Sequence, residues 1–424
     1  MESYDVDGNG SPDLLIPLLG GGIAIIWNRS LLPGSFAFQP QTVAASSASY
    51  VQARIADFDH SGLPDLLTMD STGEFQIRLQ TTPGAFSEAV VSLPGLIGTG
   101  SFFLDQVNSD DSTLDLLLAS DYSGGMSAIW FEEALLPWNN AAESLLDSPW
   151  ADRPDRAEFS HAVLADLDGN GQNDIIAADR LSAGLHVYMH YPQLDRPQFR
   201  RDQFGKPIPL PQDRIYPEST SRYRASLTSI NSALRPLRIA VGQLDEDGLQ
   251  DLAVIYRSGN NHSGVESYHF SDPELILSEE LPSYLLLLYR TKLEDDNTDH
   301  PVASLEFRLA LHFPVSLSDL RLADVDNDGD MDILACGEQS GTDTRSYFLF
   351  YEALQPYVFA EPVAHALADH PLRMEAQDFD GDGYVDVAVL CPFTNSLGFL
   401  RNSGASTNPV SGPRFIPQPV LAIP

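Results

Sequence analysis

One nine-residue pattern recurs along this chain, and it limits the possible folds more than any other feature. Its first copy reads Asp5-Val6-Asp7-Gly8-Asn9-Gly10-Ser11-Pro12-Asp13. Five further copies keep its odd-numbered positions: Asp57, Asp59, Ser61, Leu63 and Asp65; Asp166, Asp168, Asn170, Gln172 and Asp174; Gln243, Asp245, Asp247, Leu249 and Asp251; Asp324, Asp326, Asp328, Asp330 and Asp332; Asp378, Asp380, Asp382, Tyr384 and Asp386. A decayed copy spans Val107 to Asp115, with Val107 and Ser112 at its first and sixth positions. The seven copies begin at residues 5, 57, 107, 166, 243, 324 and 378, so the spacings are 52, 50, 59, 77, 81 and 54 residues. Self-similarity at such a period marks a repeat architecture in which each unit is one supersecondary element.

Every copy is flanked in the same way. A short alternating segment precedes it, such as Tyr50–Ala56 or Leu320–Ala323, and an apolar run follows, such as Leu66-Leu67 or Ile175–Ala178. These runs are too short for helices and read as strands. A third β-rich segment comes next (Gly22–Trp27, Glu74–Leu79, Gly184–Tyr188, Ser283–Tyr289, Ser346–Phe350), and a turn with an aromatic marks a fourth (Pro33–Phe36, Pro83–Phe86, Arg196–Phe199, Pro356–Phe359, Gly412–Phe415). Four strands in each of seven units predict an all-β, seven-bladed β-propeller, residues 1–424 forming one domain. Only Met1–Tyr4 precede the first loop, which leaves blade one short of its innermost strand and suggests a natural start further upstream.

Oxygen-bearing side chains at positions 1, 3 and 5, a Gly at 6 that lets the chain turn sharply, an available carbonyl at 7 and an Asp at 9 make a cage for a hard cation, and calcium is the expected occupant. The ligands come from Asp5, Asp7, Asn9, Ser11 and Asp13 and their counterparts in the other five loops. An EF-hand would need a Glu at position 12, where this chain has Ile16, Thr68, Ala177, Ala335 and Val389. Six loops hold 22 of the 60 acidic residues. Such clustering repels without a counter-ion, so about five or six calcium ions are expected, with the Gln243 loop the weakest because its first ligand is a neutral amide. No metal is expected at the decayed copy.

The formal charge of −36, from 24 Lys and Arg against 60 Asp and Glu, argues against nucleic acid or an anionic membrane as the main partner. The longest uncharged apolar run, Leu14 to Trp27, is broken by Pro17 and Gly20–Gly22, and reads as two buried strands around a glycine turn, not as a membrane span. Cys336 and Cys391 are too few for a disulfide framework and read as buried free thiols. No secretory signal follows Met1.

At the D-x-D-x-[DNS]-G-x-x-D loops the chain resembles the FG-GAP/VCBS repeat family, the calcium-loop β-propellers also found in the head of integrin α subunits. The resemblance runs over nearly the whole chain. It implies that each loop joins the first and second strands of a blade, that the metal is mainly structural, and that partners bind on one face of the propeller or on its insertions.

The wide spacings place insertions at about 192–235 and 257–300. The stretch from Pro192 to Arg238 carries nine basic residues against four acidic ones, and reads as a solvated loop packed on an acidic body, with docking of an acidic partner as the alternative. His186 and His190 share one strand face but lack a third ligand, so packing is their expected role. No catalytic motif appears. The expectation is a monomeric, extracellular or cell-envelope binding module for a protein or glycan partner, without catalysis. The alternatives are a lectin, for which the four Trp residues are not repeated, and a polysaccharide-degrading enzyme, for which Tyr216–Arg224 is the sole candidate region.

Overall fold

The structure is a computed structural model that describes residues 1–18, 21–30, 33–44, 50–88, 90–93, 99–105, 114–120, 126–129, 143–144, 159–179, 184–191, 198–201, 234–258, 284–294, 302–312, 316–339, 345–367, 370–404 and 415–423. The chain divides into two compact units, Met1–Pro149 with Ala368–Pro424, and Trp150–Leu367.

The first unit holds four antiparallel sheets. Sheet I comprises Glu2–Tyr4, Asp13–Pro17, Ile23–Asn28 and Phe38–Ala44; sheet II comprises Tyr50–Ala56, Asp65–Asp70, Phe75–Arg78 and Val91–Leu93. Sheet III comprises Thr99–Asp105, Asp115–Ser120, Met126–Ile129 and Glu143–Ser144. Sheet VII, at the C-terminal end, comprises Arg373–Gln377, Asp386–Cys391, Ser396–Asn402 and Phe415–Pro417, with Leu421–Ala422 as a fifth strand on the third. The second unit holds sheet IV (Phe159–Ala165, Asp174–Asp179, Gly184–Tyr191, Gln198–Arg201), sheet V (Leu234–Gly242, Asp251–Ser258, Tyr284–Glu294, Val302–His312) and sheet VI (Ser316–Ala323, Asp332–Gln339, Arg345–Tyr351, Val363–Ala366). Leu421–Ala422 apart, neighbours in sequence within a sheet are neighbours in space, the meander of a propeller blade.

The second strand of each sheet is a continuous apolar run because both of its faces are covered. Leu14, Leu15 and Ile16, then Leu66 and Leu67, Ile175 to Ala178, Leu252 to Tyr256, Ile333 to Cys336 and Val387 to Val389 are all at most 1% exposed. The core is accordingly divided into layers between consecutive sheets. Leu15, Ile25 and Trp27 of sheet I pack with Ile55 and Leu66 of sheet II, and Leu14, Ile26 and Phe38 of sheet I pack with Phe379, Leu390 and Phe399 of sheet VII. Phe38 stacks on Phe399 with centroids 4.1 Å apart. In the second unit, Ile176 and Leu185 of sheet IV meet Val254 and Tyr289 of sheet V, and Ile255 and Leu286 of sheet V meet Leu320 and Leu349 of sheet VI.

Several expectations change in detail. The run from Leu14 to Trp27 does form two buried strands joined through Gly21 and Gly22, whose φ angles of 92° and 100° L side chains rarely adopt. Blade one does not lack its first strand: Glu2–Tyr4 pairs with Asp13–Leu15, in three residues where sheet II uses seven. The turn-and-aromatic segments at 83–86 and 356–359 are not the fourth blade strands. They form two small hairpins, Gln80–Thr82 with Ala85–Phe86 and Ala353–Gln355 with Val358–Phe359, and the fourth strands follow at Val91–Leu93 and Val363–Ala366. Part of the length assigned to an insertion at 257–300 is strand: Tyr284–Glu294, of 11 residues, lies within it and pairs with the equally long Val302–His312 just beyond it. Most of the 192–235 insertion, Tyr216–Arg224 within it, residues 107–113 of the decayed loop and Trp130, Trp138 and Trp150 lie outside the described residues. Cys336 and Cys391 are buried free thiols, and His186 is buried in its strand.

Candidate metal centres in the acidic loops

All six well-formed nonapeptides join the first strand of a sheet to its second. Their shape is set by two left-handed residues. Position 6 has φ between 82° and 98° in Gly10, Gly62, Gly171, Gly248, Gly329 and Gly383. A Cβ added at these glycines would meet nothing within 4 Å, so the requirement is backbone conformation and not space. Position 4 is left-handed as well, in Gly8, His60, Gly169, Glu246, Asn327 and Gly381. Position 2 is an apolar peg, buried in Val6, Phe58, Leu167, Leu244, Val325 and Phe379.

The aspartates close the loop through backbone donors. At position 1, Asp5 accepts the N–H groups of Asn9 (3.0 Å) and Gly10 (2.8 Å); Asp57, Asp166, Asp324 and Asp378 do the same for their own fifth and sixth residues. At position 9, one carboxylate oxygen accepts the N–H of position 2 and the other accepts an N–H from a residue in the third strand or just beyond it. Asp13 takes Val6 (3.0 Å) and Asn28 (2.7 Å), Asp65 takes Phe58 and Gln80, Asp251 takes Leu244 and Thr291, Asp332 takes Val325 and Ala353, and Asp386 takes Phe379 and Asn402. The side chains of two of these donors also tie sheets together within the first unit: Asn28 donates to the Phe379 carbonyl (2.7 Å) and Gln80 to the Val6 carbonyl (3.1 Å).

Five loops bring carboxylate oxygens of positions 1, 3 and 9 within 4.8 Å of one another: Asp5, Asp7 and Asp13; Asp57, Asp59 and Asp65; Asp166, Asp168 and Asp174; Asp324, Asp326 and Asp332; Asp378, Asp380 and Asp386. This donor set fits a hard divalent cation. Asp7 Oδ1 and Asp326 Oδ1 are buried without a hydrogen-bond partner, as a metal ligand would be. The oxygens at position 9 each keep a second lone pair beyond the N–H they accept. The Gln243 loop is not among these groups.

Burial dominates the electrostatics. It pushes Asp13, Asp65 and Asp251 up to about 6, Asp332 to about 7 and Asp386 to about 8, against the backbone donors that favour the charged form. Asp326 also rises to about 6, through burial and then through Asp328 and Glu352. A bound cation would supply the charge that these buried carboxylates lack.

Sequence reading singled out the loop carboxylates that the fold groups, but not what faces them. The residue just before the N–H donor to position 9 varies in identity: Trp27, Leu79, Arg290, Glu352 and Arg401. Arg401 Nε lies 2.6 Å from Asp380 and its Nη2 2.9 Å from Asp382. Arg290 Nε lies 2.6 Å from Asp245 and its Nη2 3.1 Å from Asp247. Glu352 brings a further carboxylate towards Asp328 and Asp326. Arg29, two residues past Trp27, pairs with Asp7 and lies over the Trp27 ring. These partners lie 19 to 45 residues from the loop carboxylates they face, with no fixed offset, so the repeat alone could not reveal them.

Comparison with known proteins agrees with this architecture. The model of the FG-GAP-like repeat matches residues 5–68 and 324–389, each stretch spanning two acidic loops and the strands between them. No curated protein matches the chain. Among solved structures, a Bacteroides fragilis NCTC 9343 protein described as a "putative 6-phosphogluconolactonase" is 9% identical with a TM-score of 0.53, over 99% of this chain and 94% of that one. The BBS1N chain, in complex with ARL6DN, is 11% identical with a TM-score of 0.49, over 92% of this chain and 88% of that one. The likeness to the Bacteroides protein is one of fold. Among the described residues, no helix is long and apolar enough to cross a membrane.

Proposed function

We propose that this chain, an all-β propeller carrying FG-GAP-like repeats, is a single seven-bladed, calcium-stabilised interaction module without catalytic activity. Seven blade-type sheets and the packing of sheet VII on sheet I support the blade count. The observation that carries the reading is the set of five carboxylate triads, each with its ligand atoms within 4.8 Å and each preformed by backbone N–H groups. The ligands are Asp5, Asp7, Asn9, Asp13 and the corresponding residues of the Asp57, Asp166, Asp324 and Asp378 loops, with the carbonyls of Ser11, Leu63, Gln172, Asp330 and Tyr384 as further donors. The ions hold loops at one end of each blade in a fixed shape; in this reading they do no chemistry.

Sites of this extracellular type have dissociation constants of about 10⁻⁴ to 10⁻³ M, so they fill where calcium is millimolar. Our reading therefore puts its site of action outside the cytosol or in a cell envelope, and we take it to act as a monomer offering its blade ends and insertions to a protein or glycan. Binding of the full chain to a glycan array and to candidate proteins, with calcium and with EGTA, tests the reading. Calcium-dependent retention of one ligand class is expected. Because the Bacteroides protein carries a lactonase name, 6-phosphogluconolactone hydrolysis is the activity to assay, together with cleavage of acidic polysaccharide; turnover of either would contradict the absence of catalysis.

A further inference from the structure

The Gln243 loop departs from its siblings at three places that converge on one point. Its first position is an amide where the other five loops have the aspartate that accepts two backbone N–H groups. Its third and fifth positions, Asp245 and Asp247, are both taken by the Arg290 guanidinium at 2.6 and 3.1 Å. A two-pronged arginine–carboxylate contact fixes both distance and angle, as a metal ion would. Beside it comes a residue from the small hairpin that follows the third strand of sheet VI. The hairpins Pro33-Gly34, Pro83-Gly84 and Pro356-Tyr357 correspond, and the first two put a glycine against the preceding loop. A Cβ at Gly84 would meet the Trp27 ring at 3.3 Å and Asp7 at 3.6 Å, and one at Gly34 would meet Arg401 at 2.8 Å. At Tyr357 the same left-handed conformation is kept, with φ 60°, but a full side chain is present. Its hydroxyl lies close enough to Asp251, Asp245 and Arg290 to feel their charges, and the Arg308 guanidinium lies 5.8 Å from its ring. A non-glycine residue in this conformation costs free energy that its contacts must offset.

Arginines also reach the Asp5 and Asp378 loops, yet there the first-position aspartate is kept and the three carboxylates stay grouped. Only at Gln243, among the six described loops, do loss of the first ligand and a two-pronged arginine coincide.

We propose that the Gln243 loop holds no divalent cation and is closed instead by an internal clamp, the Arg290 guanidinium on Asp245 and Asp247 with Tyr357 as its lid. The proposal rests on the calcium reading for its contrast with the other loops, but not for the clamp itself. Sheet V thereby keeps its loop shape when calcium is withdrawn, and the junction between sheets V and VI stays ordered while the other loops respond to the ion.

The test counts calcium ions on the full chain by native mass spectrometry at saturating calcium. Asp324→Asn is expected to lower the count by one and Asp247→Asn to leave it unchanged. The double variant Gln243→Asp with Arg290→Gln is expected to raise it by one. A loss of one ion in Asp247→Asn, or no gain in the folded double variant, overturns the proposal. A wild-type chain that binds no calcium would instead overturn the calcium reading. The clamp is then judged by melting of Arg290→Gln, where an equal fall in EGTA and in calcium supports it and no fall in either removes it. Should the Arg290 variants fail to fold, Asp247→Asn alone still decides the question.

Discussion

The loops of sheets V and VI share one backbone plan and carry opposite electrostatics. Asp251 and Asp332 each accept two buried N–H groups in matching places, Leu244 and Thr291 in one and Val325 and Ala353 in the other. Facing the first is Arg290, and facing the second, likewise one residue before the N–H donor to position 9, is Glu352. The Asp324 loop thus gathers five aspartates and a glutamate, while the Gln243 loop neutralises its acids internally. The pair separates what the fold needs from what the ion needs: position 9 is a staple wherever the loop occurs, and positions 1, 3 and 5 can serve a metal or an arginine.

The largest effect that bears on this contrast is loss of the staple. Asp332→Ala and Asp251→Ala each leave two buried N–H groups without an acceptor and are expected to destabilise by about 3–5 kcal/mol, to similar extents, in denaturant unfolding. A cost below about 1 kcal/mol for either would break the equivalence. Next comes the charge over the loop. Glu352→Arg, which gives sheet VI the residue of sheet V, is expected to weaken calcium binding at the Asp324 loop at least tenfold, about 1.4 kcal/mol, in a calorimetric titration; an unchanged titration would show that this position does not discriminate.

The pH dependence is smaller and has a definite sign. Asp332 stands near 7 and Asp251 near 6 in the folded protein, above the ordinary 3.8 of an unfolded aspartate, so the fold binds protons that the unfolded chain releases. Their contribution is present in full below the unfolded value and is lost as pH rises through about 6 to 7. Without calcium, melting temperature should fall between pH 5 and 8. With calcium, which competes with the proton for the oxygens of Asp332 but not for those of Asp251, the fall should shrink, giving a larger calcium effect at pH 8 than at pH 5. The reverse order would contradict the burial argument. The smallest effect concerns position 4. Glu246→Gly relieves a left-handed glutamate and is expected to stabilise by about 0.5–1 kcal/mol, whereas Asn327→Gly, starting from a residue that tolerates φ 61°, should change little.

Much of this was readable from residue order. The spacing of the nonapeptides led to the meander of sheets, and the glycine at position 6 to the sharp turn, because both are local consequences of backbone geometry. The break in the run from Leu14 to Trp27 was legible for the same reason. The hairpins at 80–86 and 353–359 were mistaken for blade strands because two short strands and a turn carry the same apolar pattern as one longer strand. The apolar peg at position 2 and the left-handed position 4 were visible in principle, through Val6, Phe58, Leu167, Leu244, Val325 and Phe379 and through three glycines among six residues. Arg290, Glu352 and Arg401 were not legible, since the distance in sequence from loop to third strand ranges from the short hairpin of sheet VII to the long connection of sheet V.

The central claim is that the acidic loops are cradles for divalent cations, and thermal unfolding of the full chain across a calcium titration tests it most directly. With dissociation constants of about 10⁻⁴ to 10⁻³ M, 10 mM calcium should stabilise the folded state by about 1.4–2.7 kcal/mol per occupied site, so the melting temperature should climb steadily with calcium and fall back in EGTA. A melting temperature that is the same in 10 mM calcium and in chelator would contradict the account.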